Sequence, residues 1–268
     1  MSQTQGTAHP ILSVEQVTRR YRLPRTTLFG EAPVLTAVKG ISFSIGIGET
    51  LGIVGESGSG KSTLARLVMG FEQPDEGVVR FDGYDLARLT PAAFRIARRG
   101  FQMVFQDPNG SLDPRRTVGW SIAEPLRAQS VPLSEHPARV AEVLEQVGLR
   151  PDYAKRFPHE FSGGQRQRIA IARAIVMRPR LLVADEAVSA LDVSVQAQIL
   201  NLLMDLQDEL GLAIMFISHD LAVISSICDR MIVMRHGEVL EEGPVPTVIS
   251  APRHAYTQAL LSAARLED

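Results

Sequence analysis

Three observations predict an α/β protein built on a parallel sheet. The run Thr50–Val54 (TLGIV) is apolar, is followed by a glycine-rich stretch, and leads into residues 61–69, where Leu64, Leu67 and Val68 share one helical face. From Gln165 onward helix and strand patterns alternate: helix 165–177, strand 181–184, helix 194–210, strand 212–217, helix 221–227 and strand 231–234. Strands separated by crossover helices pair in parallel. Between these halves the composition shifts to a polar loop and helical patterns, which predicts a helical subdomain inserted at about residues 107–164.

Taken in order, residues 1–10 are polar and expected to be disordered. Residues 11–21 alternate apolar side chains approximately (Leu12, Val14, Val17) and read as a strand. Residues 23–33 are rich in Pro, Thr and Gly and read as a loop, with Leu28-Phe29 as a local docking pair. Residues 34–47 carry Val38, Ile41, Phe43 and Ile45 and form a second β element, completing an N-terminal antiparallel β subdomain. After the first helix, residues 74–77 read as a turn, 78–81 as a short strand, and Asp82-Gly83 as a hairpin turn. A basic helix at 91–99, a strand at 100–105 and a polar loop at 106–114 follow. Helical patterns cover 118–128 and 137–147, the second with Val140, Val143, Leu144 and Val147 on one face and Gly148 as its C-cap. Residues 237–242 are a terminal strand or turn and 254–264 a helix. The expected domain spans 11–264, with its core at 11–106 and 165–242.

Composition narrows the classes. Of 268 residues, 45% are hydrophobic and 22% charged, ordinary for a globular chain, and the net charge of -2 argues against a nucleic-acid partner held by bulk positive charge. The single cysteine, Cys228, excludes an intramolecular disulfide and a cysteine-only metal cluster and fits a reducing compartment. The opening MSQTQGTAHP lacks the charged and apolar regions of a secretory signal, and no run approaches the roughly 20 apolar residues of a bilayer span. The expected location is therefore cytoplasmic, or the cytoplasmic side of a larger assembly.

Chemistry concentrates in three places. Gly55-Glu56-Ser57-Gly58-Ser59-Gly60-Lys61-Ser62, followed by Thr63, matches G-x-x-x-x-G-K-[ST] in the strand–loop–helix setting that the motif requires. Backbone N–H groups and a helix N-terminus then face a polyphosphate, Lys61 reaches the β- and γ-phosphates, and the Ser62 hydroxyl is placed to ligate Mg²⁺. This is a nucleotide-binding site. The apolar strand ending in Asp185-Glu186 sets two carboxylates at the C-terminal end of a parallel strand, where open α/β sheets bind ligands. Asp185 suits Mg²⁺ and Glu186 suits a base or water-orienting role; without the upstream loop the pair reads equally as a solvated strand end. In Phe161-Ser162-Gly163-Gly164-Gln165-Arg166-Gln167-Arg168, a Ser-Gly-Gly turn opens a helix and offers a second anion site.

On these residues the chain resembles the ATP-binding-cassette (ABC) ATPases, P-loop NTPases whose signature is L-S-G-G-Q or a close variant. Phe161 stands where Leu is commoner. The resemblance implies that Ser162, Gly163, Gly164 and Gln165 bind the γ-phosphate held by another subunit's phosphate loop. It implies further that Gln106 is the Q-loop residue sensing Mg²⁺, that Ser189-Ala190-Leu191-Asp192 is the D-loop, and that His219 is the switch histidine facing the γ-phosphate. Tyr21 corresponds to the aromatic that stacks on adenine, although an isolated strand tyrosine also serves as packing.

A narrower resemblance, to the dipeptide/oligopeptide/nickel branch of bacterial importers, rests on Gln106-Asp107-Pro108, Ser111-Leu112-Asp113-Pro114-Arg115, Ser189-Ala190-Leu191-Asp192-Val193-Ser194-Val195-Gln196 and the stretch Pro252-Arg253-His254-Ala255-Tyr256-Thr257-Gln258-Ala259-Leu260-Leu261. Asp113, Ala255 and Ala187 depart from the usual Asn, Pro and Pro, and with Cys228 as the single cysteine the cysteine-bearing C-terminal extension of many members is not expected. The implied role is ATP hydrolysis, with Mg²⁺, driving uptake of peptides, or alternatively nickel or another solute. The implied partners are a homologous or identical ATPase subunit, two membrane permease subunits and, indirectly, a solute-binding protein, with this chain on the cytoplasmic face of the membrane. Residues 107–126, with Arg115, Arg116 and Trp120, are the expected docking groove for a permease helix; burial of Trp120 within the insert is the other reading. A soluble ABC ATPase acting on DNA or ribosomes is the rival. It is disfavoured by the absence of long coiled-coil inserts, zinc-binding cysteines and a second cassette. A subunit that binds nucleotide without turnover is disfavoured because Lys61, Asp185, Glu186 and His219 are all present.

Overall fold

The structure, a computed structural model, describes residues 9–24 and 32–264. The expected disorder at residues 1–8 and the docking pair Leu28-Phe29 lie outside the described residues. The chain runs through β1 (Leu12–Arg22), β2 (Val34–Ile45), β3 (Thr50–Val54), α1 (Lys61–Val68), β4 (Glu76–Phe81), β5 (Tyr84–Asp85), α2 (Pro91–Ala97) and β6 (Phe101–Val104). It continues through α3 (Pro108–Ser111), α4 (Val118–Ile122), α5 (Glu124–Ala128), α6 (His136–Gln146) and α7 (Gly163–Ile175). Then come β7 (Leu181–Asp185), α8 (Val193–Leu210), β8 (Ala213–Ser218), α9 (Leu221–Ile227), β9 (Arg230–Arg235), β10 (Glu238–Pro244), α10 (Val245–Ser250) and α11 (Ala255–Ala264).

Two sheets form. An antiparallel sheet orders β2-β1-β4-β5, and a six-stranded sheet orders β10-β9-β3-β8-β7-β6. In the second, β9, β3, β8, β7 and β6 run parallel and β10 adds antiparallel at one edge. The central strands are apolar on both faces because both faces are covered. Leu182, Ala184, Ile214 and Phe216 pack with α7, α8 and the helical insert, while Leu181, Val183, Met215 and Ile217 pack with α1 and the antiparallel sheet. The pairings Leu182↔Ile214 and Val183↔Met215 keep each set on its own side.

Several local expectations differ. The single helix expected at 118–128 is two, α4 and α5, because Pro125 has no N–H to give Ser121 and its ring crowds that carbonyl. One helical turn, α3, sits in the loop expected at 106–114. Strand β4 begins at Glu76, inside the expected turn, because β1 extends far enough to pair Thr18 with Glu76. Helix α10, a six-residue element with Pro246 in its first turn, carries too short an apolar pattern to be seen beforehand. Among the described residues no helix is long and apolar enough to cross a membrane.

Candidate nucleotide-binding and catalytic site

The parallel strands deliver the glycine loop, the acid pair and His219 to one end of the sheet. β8 lies between β3 and β7, with Val54 opposite Ser218 and Asp185 opposite Ile217, so the glycine loop, the acid pair and His219 leave the sheet as neighbours. Sterics dictate the glycines. A Cβ on Gly55 would lie 2.2 Å from the Met234 carbonyl oxygen, and one on Gly60 would lie 2.3 Å from that of Ala37, with Gly60 at φ 106. Gly60 caps α1 without any side-chain hydrogen bond, which leaves that helix end for an anion.

Lys61 is buried, and its ammonium donates to the carbonyls of Gly55 at 2.6 Å and Glu56 at 2.9 Å. Burial lowers its pKa, while Glu186, Asp185 and Glu56 oppose that shift. The cation is thus held against the loop. Asp185 shows the opposite pull: burial and the adjoining Glu186 raise its pKa, against Lys61 and a hydrogen bond from Ser62. Its Oδ1 is buried with no hydrogen-bond partner among the described residues. An orphaned carboxylate oxygen beside a loop hydroxyl fits Mg²⁺, which takes one or two carboxylates and completes its shell with phosphate and water. Among the described residues there is no group of three or more acidic, His or Cys side chains to hold a metal by itself.

Glu186 occupies a strained position at φ 49, with its N–H donating to the Ile217 carbonyl at 3.0 Å. Its carboxylate accepts from Gln106 Nε2 at 2.8 Å and lies 3.6 Å from His219 Nδ1. The three residues assigned to catalysis, from segments 80 and 33 positions apart, therefore meet at one carboxylate. Ser189 Oγ donates to the Glu186 carbonyl at 3.0 Å, tying Ser189 to the same turn. Ala187 is buried there.

A cleft of about 560 Å³ opens over the loop, walled by Tyr21, Val34, Leu35, Ser57, Gly58, Gly60, Lys61, Ser62, Thr63 and Glu186. Tyr21 donates its hydroxyl to Glu72 at 2.7 Å and has the Arg19 guanidinium 5.0 Å from its ring centre. Ala37, Lys39, His236 and Gly237 also line the cleft and were not expected. His236 and Gly237, at φ 49 and 80, form the β9–β10 turn, and Gly237 N–H donates to the Ser59 carbonyl at 2.9 Å. The turn signal is readable; its contact with the loop depends on β9 lying beside β3.

Ser162, Gly163, Gly164 and Gln165 do not line this cleft. They open α7 in a reciprocal cap: Ser162 Oγ accepts from Gln165 N–H at 3.3 Å, and Gln165 Oε1 accepts from Ser162 N–H at 3.0 Å. A Cβ on Gly164 would lie 2.4 Å from Val195. Phe161, in place of Leu, turns inward and packs edge-on against Tyr153 with ring centres 5.4 Å apart. Ser162 is exposed and lies outside the lining of its own chain's cleft.

A second concavity, of about 490 Å³, is lined by Phe71, Phe94, Arg98 and Phe105, by Arg173 of α7, and by Glu124 and Pro125 of the insert. Trp120 is not part of its lining. It is 36% exposed, with the guanidinium groups of Arg116 and Arg127 at 4.7 and 4.1 Å from its ring.

Comparison with known proteins places these features in a family. The ABC transporter profile matches residues 38–189. The chain is 48% identical over 262 residues to a glutathione import ATP-binding protein, GsiA, of Pectobacterium atrosepticum, an alignment covering 97% of this chain and 42% of that protein. It is 49% identical over 255 residues to GsiA of Escherichia coli K12, covering 95% and 41%. The chain thus spans about two fifths of these relatives. Among solved structures, the dimeric ATP-binding cassette MJ0796 bound to ADP and Pi superimposes with TM-score 0.76 and 31% identity, over 87% of this chain and 98% of that one. CbiO1 of Clostridium perfringens, part of the transporter complex cbiONQ, gives TM-score 0.77 and 29% identity over 96% and 97%. A phosphate loop, an acid pair bracketed by Gln106 and His219, a signature turn set apart from them and these likenesses agree: the chain belongs to the ABC transporter family, as one of its P-loop ATPases.

Proposed function

We propose that this chain is the ATP-hydrolysing subunit of an importer of small peptides, working on the cytoplasmic face of a membrane. The observation that supports it most directly is the convergence of Gln106 and His219 on Glu186 beside Lys61. The relatives are named for import of glutathione, a tripeptide, which suits the peptide branch that the sequence resembles.

ATP enters with its base against Tyr21 and its phosphates in the loop. Lys61 leaves the Gly55 and Glu56 carbonyls for the β- and γ-phosphates, and the free amides at the start of α1 bind the remaining charge. Ser62 and Asp185, with Gln106 in attendance, would hold Mg²⁺, which would supply further neutralisation of the phosphate oxygens. Glu186 accepts a proton from the attacking water, and Gln106 and His219 hold its carboxylate in place and sense the γ-phosphate. Ser162, Gly163, Gly164 and Gln165 lie outside the cleft, so they complete the site of a second copy or a homologous subunit, arranged head-to-tail. The cassette MJ0796 in its ADP- and Pi-bound structure is dimeric. Two permease subunits dock on each such pair. The groove between Phe94 and Glu124, which joins core to insert and takes Ser111, Glu124 and Pro125 from the 107–126 segment but not Trp120, is the docking surface in this reading.

The test is reconstitution with the cognate permeases in vesicles. ATP hydrolysis should rise with di- and tripeptides, glutathione included, and not with Ni²⁺. Stimulation by Ni²⁺ alone would replace the peptide reading, and hydrolysis indifferent to any permease would remove the importer role.

A further inference from the structure

The phosphate loop is braced from behind by a part of the chain that lies outside the nucleotide cleft and outside the 38–189 family match. Tyr256, the second residue of α11, is buried, and its hydroxyl accepts a hydrogen bond from the Glu56 backbone N–H at 3.2 Å. The Arg235 guanidinium, at the end of β9, lies 4.6 Å from the Tyr256 ring centre. The carbonyl of the preceding Met234 is the one that Gly55 could not approach if it carried a Cβ. The end of β9, the start of α11 and the first two loop residues are therefore one packed cluster.

The peptide unit joining Gly55 to Glu56 is held at both ends. Its carbonyl accepts from the Lys61 ammonium at 2.6 Å, and its N–H, pointing the opposite way across the trans peptide, donates to Tyr256. Rotating this plane would shift the amides that follow. The start of α11 is itself anchored. Glu241 of β10 accepts from the backbone N–H groups of Arg253 at 2.9 Å and His254 at 3.1 Å, and Tyr256 N–H donates to His254 Nδ1 at 3.1 Å.

From this geometry we infer that Tyr256 is a positioning residue for the phosphate loop, so that affinity for the polyphosphate of the nucleotide depends on the docking of α11. The inference rests on the nucleotide-site reading above. It works by preorganisation: a loop already held in its binding shape loses less freedom when the ligand arrives. Tyr256→Phe keeps the ring and its contact with Arg235 and removes only the hydroxyl.

The experiment titrates the full chain and its Tyr256→Phe variant with MgATP and with inorganic triphosphate, which has no base to stack. Both dissociation constants should rise about three- to tenfold in the variant, the range for one lost hydrogen bond. Amide exchange at Glu56 should quicken while that at Gly237, held from Ser59, stays as it was. A purely structural hydroxyl would lower the melting midpoint and leave both constants, measured well below it, unchanged; that result overturns the inference and leaves the ATPase reading intact. Failure of the unsubstituted chain to bind MgATP would overturn both.

Discussion

Replacing Glu186 by Gln separates binding from turnover more cleanly than any other change in the site. The substitution keeps side-chain length, and Gln tolerates φ 49 no worse than Glu, so backbone strain of about 1–3 kcal/mol is carried equally by both. The amide oxygen still accepts from Gln106 at the observed 2.8 Å, so the fold loses little. What disappears is the only group bracketed by Gln106 and His219 that can take a proton from water. Loss of a general base costs roughly 10²- to 10⁴-fold in rate. ATP affinity should rise, because one negative charge is removed near the γ-phosphate position. The same change deprives Lys61 of the first of the three carboxylates that oppose its lowered pKa. Phosphate release from the purified complex measures turnover, and filter retention of labelled ATP measures binding. Release at the wild-type rate, or a variant that no longer retains ATP, would refute the reasoning.

Three other outcomes follow from the same geometry. Gly60→Ala places a methyl 2.3 Å from a backbone carbonyl at φ 106, so we expect a loss of at least about 1–3 kcal/mol in chemical denaturation and abolished ATP binding. Asp185→Asn should stabilise the nucleotide-free chain yet abolish Mg²⁺-dependent ATP binding. A carboxyl whose folded pKa is raised contributes stability at pH below its unfolded value and loses it as pH climbs through the folded value, so the melting gap between Asn and Asp forms should widen from pH 4 to pH 8. Ser162→Arg on one chain of a mixed dimer should impair the nucleotide held by the other chain's Lys61, read by site-specific ATP cross-linking; a defect confined to the mutated chain's own site would remove the head-to-tail arrangement.

Much of this protein is decided locally and so was readable along the chain. The apolar strands, the glycine loop with Lys61 and Ser62, the acids after β7 and the Ser-Gly-Gly cap of α7 each depend on near neighbours, with a period or spacing that their chemistry demands. The parallel character of the sheet followed from the helices between its strands. What only the tertiary structure decided are contacts between distant segments that no period encodes. Strand order set β9 beside β3, which brought Gly237 and Met234 against the phosphate loop. The pairing of β6 with β7 carried Gln106 to Glu186 across 80 positions. The concavity at the seam between core and insert was not readable either, because it belongs to two packed surfaces and neither stretch of sequence contains it. Tyr256 reads as one more apolar residue of a C-terminal helix until folding sets its hydroxyl under Glu56, 200 positions away.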